Sequence, residues 1–171
     1  MYKLLGVLLA LLAAVGAWWR ANNRTIEDPQ KAVAAISAKN YPVELPEIDG
    51  AAVSDCKFQK SQGLLGDKND VFYVEYSASP EEIGALTQRF SQTANETYSG
   101  DRWAWYFAQG GRQDFADYAD GKVRDGARYD WEVLAVNEDT GTVRILIANV
   151  WDSSKNQVVL DQIALFHEDV L

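Results

Sequence analysis

The chain has 171 residues, 16 Lys/Arg against 25 Asp/Glu for a net charge of −9, and 47% apolar residues. That length and apolar content suffice for one hydrophobic core, and the acidic balance disfavours nucleic acid, whose phosphates it would repel. The single cysteine, Cys56, excludes an intramolecular disulfide, and the single histidine, His167, excludes multi-histidine zinc sites.

The chain opens on an uncharged apolar run, Leu4–Trp19, behind Lys3. A basic start, a Leu-rich stretch and small residues near Ala14–Ala17 describe a secretory signal, with Val15 and Ala17 at the cleavage-site positions. Trp18, Trp19 and Arg20 instead describe an uncleaved anchor with its aromatic residues at the membrane interface. Sixteen helical residues reach about 24 Å, a little short of the hydrocarbon core. Residues 1–20 are therefore a signal peptide or a membrane anchor. No cysteine stands directly after them to carry a lipid.

Charge divides the chain. Residues 1–44 carry five basic and three acidic residues, net +2; residues 45–171 carry eleven and twenty-two, net −11. Asp28-Pro29 opens a short helix to about Lys39, packed on the domain or serving as a stalk. The prolines at 42 and 46 then predict an extended linker. Residues 21–44 form this helix and linker, and 45–171 the globular domain.

A strand over Ala51–Gln59 holds Cys56 as a small buried hydrophobe. A loop follows, with Leu64-Leu65 in it. Val71–Ser77 alternates as a half-buried strand. Ser79-Pro80-Glu81-Glu82 is a helix start. Ser79 caps, Pro80 takes the first helical position, and Glu82 closes a capping box. Ile83, Leu86, Phe90 and Ala94 make the apolar stripe of a helix over about 80–98, ended by Gly100. Trp103, Trp105 and Phe107 alternate with Arg102 and Tyr106 in the next strand, and the aromatic set fits the core under that helix. Residues 109–127 are too rich in glycine and aspartate for a strand and read as a long connection, with one or two helical turns at 112–119. Strands at 128–136, 142–151 and 157–166 complete a three-stranded meander. The expected fold is α+β. It is a curved, mainly antiparallel sheet of five to six strands with one long helix on one face, preceded by the N-terminal apolar helix.

Motif chemistry is sparse. There is no phosphate-binding loop, no dinucleotide-binding glycine pattern and no Gly-x-Ser-x-Gly turn. Asp114, Asp117, Asp120 and Asp125 lack the spacing of a calcium loop. No metal or cofactor is expected. The aromatic residues around the long connection suggest a binding surface, with Arg102, Tyr106, Arg112, Asp114 and Asp117 as its candidate residues. The reading is an exported or membrane-anchored binding domain of the cell envelope. It is periplasmic or otherwise extracytoplasmic, and its acidic body recognises a basic protein, as an inhibitor or immunity protein does. The alternative is a small envelope hydrolase using paired carboxylates.

Overall fold

The computed structural model describes residues 2–37, 45–46, 48–63, 68–122 and 127–151. The elements follow in chain order. They are α1 (Tyr2–Asn22), β1 (Arg24–Ile26), α2 (Pro29–Ser37), a 3-10 turn (Gly50–Ala52), β2 (Val53–Gln62), β3 (Lys68–Ser77), α3 (Pro80–Thr93), β4 (Glu96–Ser99), β5 (Ala104–Gln109), α4 (Arg112–Ala119), β6 (Arg128–Asn137) and β7 (Thr142–Trp151). The strands pair in one antiparallel sheet in the order β1-β2-β3-β7-β6-β5-β4.

The α+β class stands, but the expected curved sheet of five to six strands under one helix is corrected. Among the described residues the sheet has seven strands, is open rather than closed or strongly curled, and is accompanied by four α-helices. The expected strand at 157–166, His167, Asp125 and Leu64-Leu65 lie outside the described residues.

The sheet is buried on both sides. On one face Phe72, Val74, Leu134 and Ile147 pack with Ile36 of α2 and with Ile83, Leu86 and Phe90 of α3. On the other, Tyr73, Trp105, Phe107, Trp131 and Leu146 pack with Phe115 and Tyr118 of α4. Two-sided burial explains the unbroken apolar runs Val133–Val136 and Ile145–Ala148 in the central strands. It also relocates the aromatic strand. Trp103, Trp105 and Phe107 are core residues, as expected, but they belong to the α4 face and not to the α3 face.

The α3 start forms as read. The Ser79 hydroxyl accepts from the Glu82 N–H at 3.3 Å, and the Glu82 carboxylate accepts from the Ser79 N–H at 2.7 Å. The helix ends at Thr93, short of the expected 98. Asn95 stops it by donating its backbone N–H to Phe107 O at 2.7 Å and its amide to Ala108 O at 3.0 Å. Thr97 and Tyr98 then pair with Tyr106 and Trp105 as β4. Gly100 lies in the β4–β5 turn, its N–H on Trp103 O.

β1 and α2 belong to the same body. β1 pairs with β2 over Arg24–Ile26, and Ala32 and Ile36 of α2 are buried against the sheet, so this helix is packed and not a stalk.

A partly buried ion pair joins β3 to β7. Arg144 Nε donates to Glu75 Oε2 at 2.7 Å, and its guanidinium lies 4.3 Å over the Trp103 ring. Burial works to raise the Glu75 carboxyl, but hydrogen bonds from Arg144, Ser54 and Tyr73, with the Arg144 charge, hold it below the usual carboxylate range. A depressed carboxyl contributes stability above its unfolded pKa and loses it as pH falls through the folded value. Urea titrations should therefore show wild type more stable than Glu75→Gln at neutral pH, with the gap closing in acid. A gap independent of pH would show that Glu75 acts through packing instead.

Candidate functional site

The site is built where β5 gives way to α4. β5 alternates strictly, with Trp105 and Phe107 on the α4 face and Tyr106 and Ala108 on the α3 face. A register shift between Phe107 and Gln109 then bends the strand. Gly110 follows at φ 71°, with its Cα against Trp131. A Cβ there would stand 2.3 Å from Trp131 Cδ1 and 2.8 Å from Asp130 O, so only glycine fits this turn. The chain re-enters as α4. The Glu96 carboxylate of β4 accepts from the Arg112 N–H at 3.0 Å in place of a local cap.

α4 lays Phe115 and Tyr118 on the sheet. Phe115 meets Phe107 and Trp131 edge-on at 6.3 and 5.7 Å, and Tyr118 meets Trp131 and Tyr129 edge-on at 5.2 and 5.3 Å. Tyr129 and Trp131 stack at 5.4 Å. These geometries suit the quadrupoles of the rings. Burial pushes the Tyr118 hydroxyl up to about 12.

Beside this cluster opens a cavity of about 360 Å³, lined by Asp114, Ala127, Arg128, Tyr129, Asp130 and Trp131. Arg128 Nε pairs with Asp130 at 2.8 Å, and the Asn149 amide donates to the same carboxylate. Exposed Asp114 makes no ion pair or side-chain hydrogen bond among the described residues. Asp117 accepts from Gln113 Nε2 at 2.9 Å and lies 3.9 Å from Lys122.

The five candidate residues fall in three places. Arg112, Asp114 and Asp117 share α4, with the Arg112 guanidinium 4.1 Å over the Tyr98 ring. Arg102 is exposed in the β4–β5 turn, at the other end of β5, roughly 17 Å away by strand rise. Tyr106 is half-buried on the α3 face. Arg128 and Asp130 were not among the candidates; a paired Arg and Asp two residues apart in an apolar strand was the available signal.

A second cavity, of about 300 Å³, is lined by Glu27, Pro29, Val53, Asp55, Cys56 and Lys57 among others. Burial, then the charges of Asp55 and Asp28, push the Cys56 thiol up to about 11. Burial and the raised pKa both disfavour its thiolate form. Among the described residues no group of three or more His, Cys, Asp or Glu could hold a metal. No family model matches the chain, and comparisons with curated proteins and with solved structures return no match either.

Proposed function

We propose that the chain is a non-enzymatic binding domain of the cell envelope, held on the membrane by a retained α1, with a basic protein as its partner. One observation carries this reading. α1 is apolar, none of its apolar span is buried, and it runs straight into the sheet. Its uncharged run, Leu4–Trp19, reaches about 24 Å, and the full helix of 21 residues reaches about 31 Å, which puts Lys3 and Arg20 near the two faces of a hydrocarbon core of about 30 Å. It passes Ala17 unbroken and ends at Asn22, whose Oδ1 accepts from Lys60 Nζ at 2.8 Å. Asn23 then exchanges two hydrogen bonds with the Gln62 backbone, in the manner of a strand partner. A cut after Ala17 would leave only Trp18–Asn22 of this helix.

The acidic body favours a basic partner by charge complementarity. Asp114 and Asp117 on α4, beside the aromatic-walled cavity, are the surface put forward for it. Arg102 and Tyr106 stand apart from that surface. The hydrolase reading has one observation behind it, that Asp114 and Asp130 line the same cavity. Asp130 is already held by Arg128 and Asn149, which suits an anchoring acceptor better than an acid–base partner.

The test is capture from solubilised envelopes by the full chain, wild type against Asp114→Asn/Asp117→Asn. The double variant should melt with wild type, because both side chains lie at the surface, but should lose basic proteins that wild type retains at low salt and releases at high salt. Equal capture by both would remove α4 as the surface. Asp114-dependent release of reducing sugar from envelope polysaccharide would instead establish the hydrolase.

A further inference from the structure

The end of the sheet from which α1 leaves carries a second feature. β1, β3 and β6 begin there and β2 and β7 end there, so Arg24, Lys68, Arg128 and Trp151 come to one row of strand ends. Arg24, Lys68 and Arg128 are exposed. Trp151, at 42% exposure, is the one exposed large hydrophobic outside α1 among the described residues. Its ring lies 5.8 Å from the Arg128 guanidinium, and its backbone N–H donates to Asn69 Oδ1 at 2.8 Å. The opposite end of the sheet is mainly of the other sign, with Asp55, Glu81, Glu82, Glu138 and Asp139 exposed beside the basic Arg102. α4 packs over the aromatic face, and its Asp114 lines the same cavity as Arg128, which is paired with Asp130, so the basic charge of the row rests on Arg24 and Lys68.

We propose that this row of strand ends is a docking face for an anionic bilayer surface, so that the domain stands on the membrane in one orientation. The inference rests on the retained anchor proposed above. Its occupant follows from continuity, since only Asn23 separates α1 from β1 and the strand ends cannot stand far from where the helix leaves the lipid. Trp18 and Trp19 mark the interface at the helix end, and Trp151 lies three strand spacings, about 14 Å, from β1. Arg24 and Lys68 meet the headgroups, each contributing roughly fivefold to residence at an anionic surface, while Arg128 stays paired with Asp130. β6 then carries Glu138 about 30 Å out, where surface attraction and repulsion are screened.

The experiment uses the full chain in a Cys56→Ala background, spin-labelled at Ala127→Cys beside the docking face or at Glu138→Cys at the far end. The chain is reconstituted into phosphatidylglycerol or phosphatidylcholine vesicles. Expected is shielding of the label at 127 from an aqueous nickel chelate in phosphatidylglycerol, with the label at 138 fully accessible. Added salt, phosphatidylcholine, or the change Arg24→Gln/Lys68→Gln should each return 127 to aqueous accessibility. The double change should lower the docked-to-undocked ratio roughly 25-fold at about fivefold per charge. The salt arm reads the same contact in unaltered surface chemistry if the double variant folds poorly. Co-flotation with vesicles but equal access at 127 and 138 would overturn the docking face and leave the anchor standing. Failure to co-float would remove the anchor and the docking face together.

Discussion

Gly110→Ala is expected to destabilise the domain by about 2–5 kcal/mol. The left-handed backbone at φ 71° costs an L-residue about 1–2 kcal/mol. The new methyl would also meet Trp131 Cδ1 at 2.3 Å and Asp130 O at 2.8 Å. The indole cannot retreat, because Trp131 is fully buried and is flanked by Phe115, Tyr118 and Tyr129. Overpacking of this kind adds about 1–3 kcal/mol. Gly121→Ala is the control. Its φ is 72°, but no atom lies within 4 Å of the added carbon, so only the backbone cost applies. Denaturant titration of the two variants separates strain from collision. Equal losses would show that Trp131 is not pinned against this turn.

Phe90→Ala and Phe115→Ala are each expected to cost about 3–5 kcal/mol through the cavities they leave. Phe90 is fully buried on the α3 face and Phe115 is 1% exposed on the α4 face. The sheet separates them, and they share no partner cluster. Their losses should therefore add within about 0.5 kcal/mol in the double variant. A neutral Phe115→Ala would mean that α4 is not a lid on the second core. Strong non-additivity would mean that the two faces behave as one.

The elements with strong local signals were legible from residues alone. The capping box at Ser79–Glu82, the apolar stripe through Phe90 and the turn between β6 and β7 depend on neighbours in sequence. The α3 end was not legible, because Asn95 closes the helix through Phe107 and Ala108, which arrive from another strand. The second core escaped for a related reason. Alternation in β5 shows that two faces differ, but not which helix covers each; α4 could be assigned to the Trp-rich face only after Gly110 had turned the chain beneath Trp131. The same ambiguity scattered the candidate residues. Tyr106 reads as outward when Trp105 is given to the α3 core, and it moves under α3 once Trp105 is given to α4. Arg102 and Arg112 are close in sequence, yet a strand holds them apart.

The proposed domain is held at the membrane by its own first helix. The most direct measurement is the intact mass of the chain recovered from alkaline-washed membranes of the expressing cell. The expected result is a membrane-bound product that retains α1 through Asn22, with Ala17 still joined to Trp18. A washed-off product beginning at Trp18 would contradict it, because α1 would then be a discarded signal and the sheet would carry no anchor.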